Sequence, residues 1–446
     1  MSSETQLIDI IDEFISGDWG DEIASSECPC AVSCVRGADI VPITNSRFEN
    51  IPIRYVSETS IKNKRLSEGD IVIEKSGGSP TQSTGRTVYI SKELIESKGD
   101  VVCSNFCQAF RVKPGWNPLY VFYYLQVVYN SGVFFNFEGK TSGLKNLILD
   151  SAFKSITIKK VPLEKQDRIA DFLSLIDKKI AANHAINDYL EAMARQLYDY
   201  WFVQFDFPDE SGKPYKSSGG KMVWNEKLKR ELPAIWVPET IASKHIYNSD
   251  YTANGSFAGL AENVRYNEGI PFAMLIRIVD FNSDFSENGN YVYLNKRGYD
   301  YLKSCSLKGD EIIICNVGNA GATFRCPRLN RPMSLGPNGI VVNDAIYNNF
   351  LFEYFKSPIG QHQIQTISSG SIQMKFNKTN FRELPIPFPD DRVIKMFNAS
   401  YEKLFEEKNI IWAENRELSN LKNKLLPLLM NGQVSIRQLN NHLSAY

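Results

Sequence analysis

Apolar residues recur at alternating three- and four-residue steps between Val161 and Phe202, a stretch with no glycine and, after Pro162, no proline. The spaced positions are Ile169, Leu173, Ile176, Ile180, Asn183, Leu190, Ala194, Leu197 and Trp201, with a polar step at Asn187. A heptad pattern sustained over about four heptads is typical of coiled-coil helices. At ~1.5 Å per residue such a helix spans roughly 60 Å, more than a compact domain needs. The pattern therefore favours a spacer helix over residues 162–206 rather than an ordinary amphipathic helix.

Short apolar runs separated by turn residues precede the spacer helix. Gly69-Asp70 predicts a turn before a buried strand at Ile71–Ile73, and Leu119–Val128 is typical of a helix. The apolar residues of Leu7–Ile15 predict a short amphipathic helix. We interpret residues 1–161 as one mixed α/β domain.

A connector rich in glycine and proline follows at residues 207–238, and the order of elements then repeats at residues 239–387. Ile270-Pro271 echoes Ile51-Pro52, and Gly309-Asp310 echoes Gly69-Asp70. Because the spacing between matched positions drifts, the repeat indicates one scaffold with different loop insertions. Loops that diverge on a fixed scaffold are typical of recognition.

A second long helix is predicted within residues 388–446. Its apolar seam is interrupted by Lys408, Asn415 and Lys422, and polar seam residues cost stability but fix register. The chain as a whole is predicted to be α+β, with two repeated mixed α/β domains joined by two long antiparallel coiled-coil-like helices.

Composition and the absence of known motifs argue against several classes of function. Net charge is -1 in 446 residues, so the molecule is no polycation. Lys and Arg exceed acids by fifteen to ten from Phe48 to Lys160 and by fourteen to twelve from Thr240 to Phe388, which is weak support for a polyanion partner. The eight cysteines show no disulfide pattern, and Cys28, Cys30 and Cys34 lack a nearby fourth metal ligand. We expect no metal site and no catalytic residues, since phosphate-binding, dinucleotide-binding and nucleophile-elbow motifs are absent. With no signal peptide or long apolar run, the expected location is the cytoplasm.

Two loops rich in Gly, Ser, Thr and Asn occupy equivalent places in the repeats, and each ends in an arginine. Small residues let backbone N–H groups approach phosphates, and Arg, Asn or Gln side chains can read bases. The alternative is that these loops are merely flexible turns. For Arg86 the preceding Ser83, Thr84 and Gly85 favour a phosphate contact.

Several motifs resemble the specificity subunits of type I restriction-modification systems. Pro162-Leu163-Glu164-Lys165-Gln166-Asp167-Arg168-Ile169-Ala170 is similar to the motif that opens their central helix. Tyr200-Trp201-Phe202, the connector, and the stretch from Ser369 to Pro387 also resemble the family. The second helix departs from it, because Pro387-Phe388-Pro389-Asp390-Asp391 lacks the Glu-x-Gln pattern.

The resemblance implies a non-catalytic subunit with two target recognition domains, which reads a bipartite asymmetric site in double-stranded DNA. Its helices would dock two modification (methyltransferase) subunits that use S-adenosylmethionine. Whether a restriction subunit, which uses ATP and magnesium, also joins is left open, as is a related modification-only or type II-like system. Two alternatives from other classes are an enzyme in its own right, a methyltransferase or nuclease, and a coiled-coil interaction protein without a DNA role.

Loop chemistry and repeat position, rather than family residues, supply the candidate DNA contacts. In the first domain they are Lys75, Ser76, Thr81, Arg86, Lys140 and Ser142. In the second domain they are Asn316, Asn319, Thr323, Arg325, Ser371 and Lys375.

Overall fold

The computed structural model describes residues 4–79, 82–141, 144–283, 285, 289–370 and 373–434, with only the backbone at 140, 141 and 144. The chain forms two compact units. The first unit comprises Met1–His184 with Leu418–Tyr446, and the second comprises Ala185–Glu417. Both boundaries fall inside long helices, so each helix contributes one part to each unit.

The first unit contains twelve strands and five short helices among its described residues. The strands are β1 (Glu4–Gln6), β2 (Ile11–Ser16), β3 (Cys30–Val35), β4 (Ile53–Val56), β5 (Ile71–Glu74), β6 (Ser76–Gly77), β7 (Thr87–Tyr89), β8 (Val101–Cys103), β9 (Cys107–Val112), β10 (Glu138–Thr141), β11 (Leu144–Leu147) and β12 (Thr157–Lys159). The helices are α1 (Ile40–Thr44), α2 (Glu58–Lys64), α3 (Lys92–Lys98), α4 (Pro118–Asn130) and α5 (Leu149–Ser155). Single 3-10 turns lie at Leu7–Ile10, Gly37–Asp39 and Val133–Phe137.

The first long helix, α6, runs from Leu163 to Tyr198 and continues as a π-turn at Asp199–Val203. Pro162 lies just before it, where proline is well tolerated. This helix lies within the predicted spacer, residues 162–206.

The second unit repeats the pattern of the first. Its strands are β13 (Met222–Asn225), β14 (Arg230–Pro233), β15 (Val237–Glu239), β16 (Tyr247–Asp250), β17 (Ala273–Ile276), β18 (Val292–Leu294), β19 (Ser306–Leu307), β20 (Ile312–Cys315), β21 (Val317–Gly318), β22 (Thr323–Arg325), β23 (Met333–Leu335), β24 (Gly339–Asn343), β25 (Met374–Lys375) and β26 (Ile386–Phe388). Its helices are α7 (Phe257–Asn263), α8 (Lys296–Tyr301), α9 (Asn348–Lys356), α10 (Pro358–Ile367) and α11 (Lys378–Arg382), and the second long helix is α12 (Asp391–Met430). Single 3-10 turns lie at Tyr251–Asn254, Ile278–Asn282 and Lys303–Cys305.

Sheet topology shows that the two units share one scaffold. The main sheets have the orders β2-β9-β5-β7 and β16-β24-β20-β22, with every neighbour antiparallel. The second sheets, β4-β3-β8 and β18-β17-β23-β19, each contain one parallel pair, β3 with β8 and β17 with β23. Smaller sheets β10-β11-β6 and β21-β25, and pairs β1-β12 and β15-β26, complete the correspondence.

Topology also corrects the pairing of the two Ile-Pro motifs. Pro52 precedes β4, whereas Pro271 precedes β17, and the equivalent of β17 is β3. The matching motif is Arg-x-x-Asp. Arg36 bonds Asp39 after β3, and Arg277 bonds Asp280 after β17 at the same place.

The two long helices pair in opposite chain directions within each unit. In the first unit, Ile169 and Leu173 near the start of α6 share a core with Leu426 and Leu429 near the end of α12. In the second unit, the end of α6 shares a core with the start of α12, where Phe202 packs edge-to-face on Phe397. The predicted fold class is confirmed.

The predicted helix at Leu7–Ile15 is wrong. The chain forms a 3-10 turn at Leu7–Ile10 and then strand β2, which pairs with β9. Ile11 and Ile15 are four residues apart, a spacing that fits one face of a helix. In the strand, a β-bulge between Ile11 and Glu13 places the two side chains in different core clusters.

Candidate nucleic-acid interface

The first small sheet, β10-β11-β6, is connected to the buried core strand β5 through β6, which begins two residues after β5 ends. The backbone N–H groups of Lys75 and Ser76 both donate to the carbonyl of Phe106, at 2.8 and 2.9 Å, which fixes where β6 leaves the core. Strand β6 then pairs with β11, so that Ser76 lies opposite Asn146 and their side chains are hydrogen-bonded. The backbone of Lys140 lies in the outer strand β10.

The second small sheet, β21-β25, leaves the equivalent core strand β20. Asn316, just before β21, is bonded to Phe376, just after β25. Its side-chain NH₂ donates to Phe376 O at 3.4 Å, and its backbone carbonyl accepts from Phe376 N–H at 3.1 Å. Val317 pairs with Lys375, whose side chain is exposed, and Asn319 is exposed in the turn that follows β21. Three of the predicted residues, Asn316, Asn319 and Lys375, are therefore brought together.

The small sheets occupy equivalent positions with different side chains. Gly77 and Gly318, 241 residues apart, end the first strand of each with positive φ. With the same offset of 241 residues, Val317 is the equivalent of Ser76. Ser76 pairs with Asn146 and Val317 pairs with Lys375, so Asn146 and Lys375 occupy equivalent positions. One scaffold therefore presents a hydroxyl and an amide in one unit, and a lysine in the other.

Arg86 points into its unit rather than towards solvent. Its guanidinium donates two hydrogen bonds to Glu74, at 2.6 and 2.9 Å, and the Glu74 carboxylate is buried. These bonds raise the pKa of Arg86. The residues before it are also internal: Thr84 is fully buried and its N–H donates to Glu138, while a Cβ on Gly85 would lie 2.6 Å from the Phe134 ring. The described residues in this part of the loop therefore contact protein atoms.

Arg325 is similarly engaged. It donates to the carbonyls of Asp310 and Asn348 and to the Asn349 side chain at 2.8–3.1 Å, and it lies over the Phe352 ring. Burial lowers the pKa of its guanidinium. Thr323, on the same strand, donates to Gly321 O at 2.9 Å. Neither side chain joins the second small sheet.

Three predicted contacts fall outside the description of the structure. Thr81, Ser142 and Ser371 lie outside the described residues, and the side chain of Lys140 does as well. For these residues the sequence prediction stays a prediction.

Comparisons with known proteins bear on what this scaffold is for. Residues 35–192 match the family model of the type I restriction modification DNA specificity domain. The chain is 22% identical to the specificity subunit of the type I restriction enzyme HindI from Haemophilus influenzae, over 88% of this chain and 92% of that protein. It is 21% identical to the MjaIX specificity subunit from Methanocaldococcus jannaschii, over 90% and 88%.

These relatives are specificity subunits of type I restriction enzymes, and the chain is similar to them over most of its length. Its fold is similar to the crystal structure of the S subunit from M. genitalium, with a TM-score of 0.52 and 13% identity over 96% of each chain. The match to a DNA specificity domain supports sequence-specific recognition of DNA.

The sequence prediction did not include several polar residues of the small sheets. Asn146 and Lys145 in β11, and Gln373 beside β25, lie next to predicted contacts. Lys145 is paired with Glu138 at 2.9 Å, so it is partly neutralised. The sequence does show two lysines, Lys140 and Lys145, on either side of Ser142-Gly143, and this pair could have pointed to Lys145.

The described residues also bear on metal binding and membrane insertion. No group of three or more His, Cys, Asp or Glu residues within them could hold a metal ion. Among the helices described there, none is long and apolar enough to cross a bilayer.

Proposed function

We propose that this chain is the non-catalytic DNA-reading subunit of a type I complex, in which each unit reads one half of a bipartite asymmetric site. The supporting observation is the repeated small sheet, with equivalent backbone positions that carry Ser76 and Asn146 in one unit and Val317 and Lys375 in the other. A shared scaffold gives two similar approaches to DNA. Different side chains at matched positions give two different half-sites.

The proposed contacts are those that project from the small sheets. In the second unit, Lys375, Asn319 and Gln373 are exposed. In the first unit, Lys75, Ser76 and Asn146 are partly exposed. Lysine supplies phosphate contacts and Asn or Gln can read adenine. Arg86 and Arg325 act instead as internal supports of these surfaces. Thr81, Lys140, Ser142 and Ser371 remain proposed contacts.

We assign the docking of methyltransferase subunits to the long helices. In the second unit, α6 exposes Ile186, Tyr189 and Met193 at helical spacing, with 44%, 72% and 52% of their surface accessible. An apolar stripe of this kind suits a helical partner. In this proposal S-adenosylmethionine belongs to the methyltransferase subunits, and ATP and magnesium to a restriction subunit. Cytoplasmic location stays a prediction.

Lys375→Ala tests the DNA surface. If Lys375 contacts a phosphate, the variant binds all sequences more weakly and the salt dependence of affinity falls by about one unit of slope. If it contacts a base, the loss is ~1–3 kcal/mol and falls on one position of one half-site. Affinities are measured for the complex with its methyltransferase subunits, on single-base variants of the site at two salt concentrations.

Lys303→Ala is the matched control, an exposed lysine of the same unit outside the small sheet. It should leave both affinity and salt slope unchanged. Equal effects of the two substitutions would refute the placement of the DNA surface.

The isolated chain tests the non-catalytic role. Without partner subunits, it should neither methylate nor cleave DNA, and it should not bind S-adenosylmethionine in calorimetry. Turnover by the purified chain alone would favour the alternative of an enzyme in its own right. Adding restriction subunits to the complex then separates a restriction system, which cleaves unmethylated DNA, from a modification-only system.

A further inference from the structure

Helices α4 and α9 begin at equivalent places and are attached to the long helices there. The N-cap residue of α4 is Asn117, and its side-chain NH₂ donates to Asp167 of α6 at 2.7 Å. The N-cap residue of α9 is Tyr347, and its hydroxyl donates to Asp391 of α12 at 2.9 Å. Asn117 and Tyr347 lie 230 residues apart, and Asp167 and Asp391 lie 224 apart.

Each unit has a second hydrogen bond between its short helix and its long helix, and the bonded residues are related by the same offsets of 230 and 224 residues. Tyr123 of α4 donates to Asp177 of α6 at 2.7 Å. Tyr401 of α12 donates to Glu353 of α9, also at 2.7 Å. Glu353 lies 230 residues after Tyr123, and Tyr401 lies 224 after Asp177. The hydrogen bond therefore joins equivalent positions in both units, with tyrosine and carboxylate exchanged between the two helices.

Each carboxylate has a cation beside it. Lys422 of α12 bonds Asp177 at 2.6 Å and lies 5.2 Å from the centre of the Tyr123 ring. In the second unit, Arg325 lies close to both Glu353 and Tyr401. Burial, reinforced by the neighbouring carboxylate, raises the pKa of both tyrosines, which remain hydrogen-bond donors at neutral pH.

We infer that the two tyrosine–carboxylate pairs are positioning residues, which fix each recognition unit on its long helix and thereby restrict the gap between half-sites. This inference rests on the proposed function. Apolar packing between α4 and α6 is non-directional, so by itself it permits small slides and rotations. A hydrogen bond is directional, and two bonds at separate points along one helix oppose both movements.

The attached helices also touch the elements that lead to the small sheets. The Tyr129 hydroxyl of α4 donates to Ser83 O at 3.3 Å, in the loop that follows β6. Asn349 of α9 accepts from Arg325 at the end of β22. A displacement of either helix is therefore transmitted to the proposed DNA surface of its own unit.

Tyr123→Phe tests the inference, because it removes only the hydroxyl and leaves Asp177 bonded to Lys422. The complex with methyltransferase subunits is assayed on DNA with the native gap and with gaps one base pair shorter or longer. Losing one directional bond is expected to reduce the preference for the native gap about tenfold, while the preferred bases of both half-sites stay the same. Tyr401→Phe should have the same effect through the second unit.

Tyr124→Phe is the control, since that hydroxyl on the same helix bonds Thr157 O and not the long helix. The exchange variant Tyr123→Glu/Asp177→Tyr places in the first unit the arrangement of the second, and it should restore the preference. An unchanged gap preference in Tyr123→Phe, whether or not the melting temperature falls, would overturn the inference. If the wild-type complex methylates no bipartite site, the proposed function itself fails, which is a separate outcome.

Discussion

Arg86 neutralises a carboxylate that water cannot reach. Glu74 has 3% of its surface exposed, and its two oxygens accept both bonds from the guanidinium. Removing one member of a buried ion pair leaves the other charge desolvated and unpaired, which costs far more than the pair contributes. The residue therefore matters for the stability of the unit that carries the first small sheet.

Arg86→Ala should lower the free energy of unfolding by about 3 kcal/mol, the low end of the cost of breaking a buried pair. Arg65→Ala is the control, because its bridge to Asp100 is exposed and should be worth ~0–1 kcal/mol. Urea unfolding measures both. DNA binding by the folded Arg86→Ala variant should retain the wild-type salt slope. A slope lower by about one with unchanged stability would instead support the phosphate contact that the sequence suggested.

At the scale of elements, the sequence pattern predicted those helices and turns that depend on residues close together in the chain. The long helices, the turn at Gly69-Asp70 and helix α4 follow from apolar spacing, Gly φ preference and the Asn117-Pro118 helix start. Strand β2 was missed because its apolar positions also fit a helical face, and its state depends on pairing with β9, about a hundred residues away. Burial of Arg325 was invisible for the same reason, since its partners come from distant elements.

The exchanged tyrosine and carboxylate pairs show a further limit of sequence reading. Comparing the two repeats residue by residue cannot match Tyr123 with Glu353, because the residue types differ. The tyrosine–carboxylate hydrogen bond is common to both units only when the short helix and the long helix are considered together. The two Ile-Pro motifs show the reverse case, since identical residues precede strands that are not equivalent.

Asn187 provides a test of the polar seam between the long helices. It is 9% exposed and its side-chain oxygen has no hydrogen-bond partner among the described residues. Asn187→Leu should therefore raise the free energy of unfolding by ~1 kcal/mol, since it removes a desolvated polar group. Asn183→Leu should lower it, because Asn183 is buried and does have an interaction partner. Urea unfolding measures the free energy of unfolding of both variants. Changes of the same sign in the two variants would contradict the prediction.

At the scale of the molecule, each long helix passes from one unit into the other, so helix length is a parameter of the whole chain. Crossing points lie between His184 and Ala185 in α6, and between Glu417 and Leu418 in α12. Residues inserted there lengthen the helices while leaving the contacts within each unit's core in place. This separation of core from spacer makes the proposed role of the helices testable without changing a recognition surface.

Insertion of one heptad at both crossing points should lengthen the gap between half-sites. Seven residues add ~10 Å of helix, equal to about three base pairs at ~3.4 Å each, and that full value applies if the helices run along the DNA axis. A whole heptad preserves the seam between the helices, apart from a rotation of ~20°. Methylation-site mapping in a host that carries the complex measures the gap and the bases of both halves. The bases should stay the same, because neither small sheet is altered.

Insertion into α6 alone is the control, since it shifts the apolar seam of α6 against that of α12 and should abolish methylation. If the double insertion leaves the gap at its original length, the helices do not set the spacing.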